Sequence, residues 1–313
     1  GRAFLGKNLT EPRSYAYGAR DRMDERYDII RSVRDHRFRY VRNFEPLKPY
    51  YQYMNTPEKG ATMREIRRIQ QSGAIPEVVA QFTAATKPVE ELYDSQHDPH
   101  EINNLADDPA YRGKLDEMRA ALAMWQNEIG DIGLIPEAEI EIQEQAAGSR
   151  YGILHANDNS QRMLGRLVDI ATKASMGPQV LDDLVAGLSD DDPSVRYWSA
   201  TGIGNIGAKA KRVKSAVASA MTDSSPSVRI AAARAIARLG DPAAAIDVLC
   251  RELESEHQWG RLAAAIVLDE MDDQAKPALE AFQAALEDQP NKYIVRVANR
   301  AINELLGTNH TVR

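Results

Sequence analysis

Two patterns of apolar spacing divide the chain. In "YDIIRSVRDHRFRYVRNF" the runs Tyr27–Arg34 and Phe38–Phe44 are rich in β-branched and aromatic residues and flank the polar link Asp35-His36-Arg37. Phe38, Tyr40 and Arg42 alternate with Arg39, Val41 and Asn43, a period near two that predicts an antiparallel hairpin. From Asp108 the period lengthens. "DDPAYRGKLDEMRAALAMWQNEIG" offers Asp108 as N-cap and Pro109 at the first helical position, repeats Leu115, Met118, Leu122 and Trp125 at helical steps, and ends at Gly130. This apolar stripe is expected to lie against the hairpin sheet. "EAEIEIQEQAAGSRYGILHANDNS" follows, acidic and then rich in Gly, Asn and Ser, and reads as a linker.

The second half repeats itself. "DDPSVRYWSATGIGNIG" aligns with "SSPSVRIAAARAIARLG", with Pro193 and Pro226 33 residues apart and Arg196 and Arg229 likewise. Arg261 follows 32 residues later and Arg296 another 35 beyond it. A period of this length predicts stacked helix–turn–helix units. In each, a turn at Pro precedes small apolar residues such as Ala231, Ala232, Ala235, Ile236 and Leu239, which let neighbouring helices approach closely. The pattern resembles short, Ala-rich HEAT repeats over about residues 160 to 307. The recurring arginines could form an anion ladder, but recurrence at the repeat period favours bonds to an Asp or a helix end in the adjoining unit.

Composition narrows the functional classes. The chain has 313 residues, is 43% hydrophobic and 27% charged, and carries a formal net charge of −7. An acidic chain without a basic run is a poor nucleic-acid binder, because that affinity comes from neutralising phosphates. No apolar run nears the roughly 20 residues of a membrane span. The single Cys250 lies in the apolar helical pattern "AIDVLCREL" and reads as a small buried hydrophobe. "GRAFLGKNLTEPRSYAY" lacks an initiator Met, a charged segment and an apolar segment, so it is expected to be a chain entered midway rather than a signal peptide.

"ELYDSQHDPHEINNLADDP" concentrates acids with His97 and His100, which invites a metal reading. Spacing of three residues helps ligation on a helix, however, and Pro99 between the histidines argues for a turn. Asp98, Glu101, Asn103 and Asn104 suit a loop whose side chains bond nearby amides.

"GRAFLG", "RDRMDERYDIIRSVRDHRFRYVRNF", "ELYDSQHDPHEINNLADDP" and the helix bearing Trp125, in that order, resemble the C-terminal subdomain of sulfatases of the heparan N-sulfatase type within the alkaline-phosphatase superfamily. The resemblance covers residues 1 to about 138 and implies a small antiparallel sheet packed by a long helix beside a larger catalytic domain. The expected fold is therefore an α+β sulfatase-like subdomain over 1–145, a linker over 146–159, and an all-α HEAT-like solenoid over 160–313.

The family's chemistry uses a formylglycine made from Cys or Ser in a Cys/Ser-x-Pro-x-Arg motif, beside a divalent cation such as calcium. Cys250 is followed by Arg-Glu-Leu-Glu, and Arg stands three residues after Pro in "DPSVR" and "SPSVR", so no catalytic or metal residue is assigned in this chain. Both cofactors are expected upstream. The resemblance places "GARDRMDERYD" in a loop at the substrate mouth. There Arg20 and Arg22 would offer planar forks to sulfate or carboxylate, and Asp21 and Asp24 would accept sugar hydroxyls or orient the arginines. The alternative is a solvated or interdomain salt-bridge cluster. The functional expectation is the C-terminal part of a sulfuric ester hydrolase acting on a sulfated carbohydrate or aryl sulfate, with repeats that bind a protein partner. The rival is a non-enzymatic scaffold with a relic sulfatase-like N-terminus. Family habit implies a periplasmic or extracellular location.

Overall fold

The structure, a computed structural model, describes residues 3, 5–155, 158–287 and 290–312. Of the opening "GRAFLG", Gly1, Arg2 and Phe4 lie outside the described residues, as do residues 156 and 157 of the expected linker. Four antiparallel strands come first, in the spatial order β1 (Ala16–Met23), β2 (Arg26–Arg34), β3 (Phe38–Asn43) and β4 (Glu90–Asp94). The expected hairpin is β2–β3, and Asp35 closes its turn by accepting the Arg37 and Phe38 amides at 2.7 and 2.6 Å. β1, a turn and the start of β2 replace the loop expected over Gly18–Asp28. Apart from Tyr17 and Met23 the residues of β1 are small or charged, and pairing along β2, rather than β-propensity, makes it a strand.

Between β3 and β4 lie three short helices, α1 (Asn55–Glu58), α2 (Ala61–Gln71) and α3 (Glu77–Phe82). β4 is one of the two edge strands. Its Leu92 amide donates to the Asn104 side chain at 2.9 Å, while Asp98 accepts the Ile102 and Asn103 amides at 2.7 Å. His97, 73% exposed, leans on Asp94 at 2.8 Å, and His100 is exposed.

The expected long helix is α4 (Arg112–Ile129), ended by a left-handed Gly130. Its Leu115, Met118, Ala121 and Leu122 bury one face of the sheet with Val33, Phe38, Tyr40 and Leu92. Trp125 stacks on Tyr17 with ring centres 4.9 Å apart.

The stretch expected as a linker is helical as far as it is described, in α5 (Glu137–Ala147) and α6 (Arg150–His155). Glu, Gln and Ala are strong helix formers, Pro136 precedes the first turn, and Gly148 stops it at φ 75°. α5 is also packed, since Ala138 and Glu139 are buried and Glu139 accepts the Ser225 hydroxyl at 2.5 Å.

Nine further helices among the described residues complete the chain: α7 (Asp158–Lys173), α8 (Leu181–Gly187), α9 (Pro193–Ile206), α10 (Lys214–Ala220), α11 (Pro226–Arg238), α12 (Pro242–Leu253), α13 (Gln258–Asp269), α14 (Leu279–Ala284) and α15 (Lys292–Leu306). The odd-numbered helices stack in chain order and the even-numbered ones alternate with them. Asp192, Ser225, Asp241 and Asn291 cap the starts of α9, α11, α12 and α15. Close stacking needs glycine in α9: a Cβ on Gly202 would lie 2.8 Å from the Ala174 Cα, and one on Gly204 3.0 Å from that of Ala235.

The repeat arginines divide in role. Arg196 clasps Asp223 at 2.7 and 2.8 Å, Arg229 clasps Glu252 at 2.5 and 3.0 Å, and Arg261 donates to the Leu253 carbonyl at 3.0 Å. Each bonds within the stack. Arg296 crosses to Glu25 beside the β1–β2 turn, at 3.4 Å. No described helix is long and apolar enough to cross a membrane.

Candidate functional site

A bulge in the β1–β2 pair decides where the candidate residues go. Arg20 stands opposite Ile30 but Arg22 stands opposite Tyr27, so Asp28 and Ile29 together face the single residue Asp21. Strict alternation would leave Arg20 and Arg22 on one face. Across the bulge they line different cavities.

Arg22 turns toward the helical stack. Its Nε donates to both Glu137 oxygens at 2.9 and 2.8 Å, and its guanidinium lies 4.1 Å from the Trp259 ring centre and 5.3 Å from that of Tyr293. Burial pushes the Glu137 carboxyl up, and Arg22 offsets only part of that. Asp24, in the left-handed turn at φ 52°, accepts the Tyr293 hydroxyl at 3.1 Å. The narrow cavity beside Arg22 holds about 70 Å³. Small-molecule pockets run to roughly 300–1,000 Å³, so this space admits water and not a sugar.

Asp21 serves the opposite side of β1. It pairs at 2.8 Å with Arg31, which is 0% exposed and also forks onto Asp131 at 2.7 and 2.9 Å. Burial raises the Asp21 carboxyl despite Arg31, whereas in Asp131 the same burial is outweighed by Arg31 and the carboxyl is held low. Arg20 is the exception among the four candidates. Its Nε and Nη2 are shielded from solvent and have no hydrogen-bond partner.

Sequence reasoning missed the groups that join sheet and stack. Glu45, just past β3, meets Arg234 of α11 at 3.3 Å and Lys48 at 3.6 Å. The Trp198 indole donates to the Leu134 carbonyl at 2.8 Å, and Phe44, Ile29, Leu134 and Ile135 belong to the same apolar core as the helices. Arg42 reaches the Thr172 carbonyl and the Ser175 hydroxyl at 3.2 and 2.7 Å. Among the described residues no cluster of three His, Cys, Asp or Glu groups is placed to hold a metal ion.

Comparison with known proteins separates the two halves by kinship. The HEAT repeats family model matches residues 181–251 and 213–303. An ulvan-active sulfatase of Formosa agariphila is 43% identical over 140 residues, 45% of this chain and 24% of that protein. A sulfatase-like part is joined here to HEAT-like repeats. A second ulvan-active sulfatase of the same organism is 30% identical over 148 residues, 42% of this chain and 25% of its own length. The matched stretch therefore spans about a quarter of these sulfatases. The crystal structure of an engineered protein aligns with 61% of this chain and 91% of its own at a TM-score of 0.36 and 19% identity, a likeness too distant to add to the sulfatase-like and HEAT-like assignment.

Proposed function

We propose that this chain is the C-terminal part of a sulfatase that hydrolyses sulfate esters of a sulfated polysaccharide such as ulvan. The observation that carries this reading is the 43% identity over 140 residues to an ulvan-active sulfatase. Cys250 is followed by Arg251 and Glu252 rather than by the x-Pro-x-Arg of a formylglycine motif, so the nucleophile and the divalent cation of such an enzyme are assigned elsewhere. Both would belong to the remainder of the enzyme. Arg20, Asp21, Arg22 and Asp24 act at the substrate end of this part, three of them by fixing the β1–β2 hairpin and Arg20 by reaching an anion.

The HEAT-like repeats serve first as a brace for the sulfatase-like part. Tyr197, Arg234, Trp259 and Tyr293, one from each of α9, α11, α13 and α15, support the hairpin and the segment after β3. A protein partner would meet the layer of α8, α10, α12 and α14. Assay of inorganic sulfate release from ulvan by the whole gene product, with residues 1–313 as comparison, tests the enzymatic reading. Release by the whole product and none by 1–313 is the expected result. No release from ulvan or an aryl sulfate by the whole product would leave the scaffold reading in its place.

A further inference from the structure

The face of the sheet away from α4 holds an open recess of about 710 Å³. Its floor is Val41, Asn43, Glu91 and Tyr93, and Tyr50 and Phe82 stand at its side. Arg20 enters from β1 and Arg26 from the start of β2. Three guanidinium nitrogens of this pair, Nε and Nη2 of Arg20 and Nε of Arg26, have no partner, and neither does the Asn43 side-chain oxygen.

The neighbouring carboxylates are committed elsewhere. Glu91 accepts from Asn43 and the Tyr93 hydroxyl, both at 2.5 Å, and Glu101 binds Arg39 at 2.5 Å. Asp28 is held by Lys87 at 2.9 Å, and Glu25 by the Asn55 amide and Arg296. Two like charges thus share the recess with no carboxylate bonded to either, and Glu91 on its floor is taken up by neutral donors. Burial and the nearby Arg20 both depress the Arg26 guanidinium, which reports the same deficit. Unspent guanidinium N–H groups suit a tetrahedral or planar oxyanion, and aromatic side chains beside them suit a sugar ring.

We propose that Arg20 and Arg26 form a binding site for the anionic group of a saccharide, seated against Tyr50 and Phe82 on the free face of the sheet. The oxyanion site follows from the recess alone, whereas the assignment of its ligand as a sulfated sugar rests on the sulfatase reading. The volume fits one or two sugar units. Arg20 is half-buried and its Nε and Nη2 have no partner, so they turn toward the ligand without breaking an internal hydrogen bond.

Calorimetric titration of residues 1–313 tests the site, with a monosulfated disaccharide, the same disaccharide without sulfate, and inorganic sulfate as probes. The sulfated disaccharide should bind best, and each of Arg20→Gln and Arg26→Gln should weaken it by about 10- to 100-fold, the worth of one charge-assisted hydrogen bond. Arg166→Gln, which removes an exposed cation of α7 paired with Asp190, should leave affinity unchanged. The melting temperature of Arg20→Gln should not fall below that of the parent, because like-charge repulsion is relieved. The inference is overturned by no binding, by equal binding of the desulfated probe, by inorganic sulfate binding as tightly as the disaccharide, or by indifference to both arginine variants. Sulfate release by the whole product is a separate measurement, so failure of either reading is seen independently of the other.

Discussion

Glu45 and Arg234 stand 189 positions apart in the chain and meet at 3.3 Å between sheet and helices. Glu45 is 1% exposed and Arg234 reaches past it to Glu270 at 2.9 Å. Removing one partner of a buried pair leaves the other charge without compensation and costs about 3–5 kcal/mol. Glu45→Ala should lower stability by that amount in chemical denaturation. Glu65→Ala, which breaks only the exposed pair with Arg68 on α2, should leave the denaturation midpoint where it was.

Acid should weaken the same join. Burial alone would raise the Glu45 carboxyl, but Lys48, Arg234 and Lys87 outweigh it and hold it low, and Asp131 is likewise held low beside Arg31. A carboxylate whose pKa is depressed in the folded state stabilises fully above its unfolded value, near 4.3 for Glu, and loses that contribution as pH falls through the folded value. Stability from these groups should be level between about pH 7 and 5 and decline below about 4.3. In Glu45→Gln the acid slope should be shallower, and an unchanged slope would show that Glu45 does not contribute.

Gly133 occupies space that no side chain can share. A Cβ there would lie 1.8 Å from Arg31 Nη2 and 2.7 Å from both Asp21 oxygens. Gly133→Ala should therefore expel Arg31 from Asp131 and cost about 3–5 kcal/mol, the penalty of a broken buried pair. Gly113→Ala, with open space around it in α4, serves as the control and should be neutral or slightly stabilising.

The helices should not survive separation from the sheet unchanged. Trp259, Tyr197 and Ile230 of the stack face Tyr27 and the segment after β3, and residues 158–313 alone would present them to water. That fragment should self-associate or melt well below the full chain, as read by sedimentation and circular dichroism. A monomeric fragment with the parent's melting temperature would mean the join contributes no stability.

What was legible in the sequence was local. The period of two between Phe38 and Asn43 and the capped stripe from Asp108 to Gly130 named β3 and α4 because each pattern is complete within its own segment. The repeat period likewise exposed the bonds of Arg196 and Arg229, which close within neighbouring units. β1 escaped because its pairing with β2 is tertiary, and the bulge opposite Asp21 accompanies the parting of Arg20 and Arg22, which the resemblance had grouped in one loop. α5 escaped because acidic composition was weighed above helix propensity. Glu45 carries no local mark of its role, since its partner Arg234 arrives only after the helices have stacked.

A stack of HEAT-like units is ordinarily a spring, each unit touching its neighbours alone and free to adjust the pitch by small rotations. Here successive units are also anchored to one object. Tyr197, Arg234, Trp259 and Tyr293 reach Arg22 in β1, Asp24 in the β1–β2 turn and Glu45 just past β3, all tied to one hydrogen-bonded sheet. The hairpin and the segment after it act as a ruler laid along the coil, setting its curvature at four points. A force on the C-terminal end should then reach the hairpin that carries Arg20 through Tyr293 and Asp24, and the spring becomes a lever.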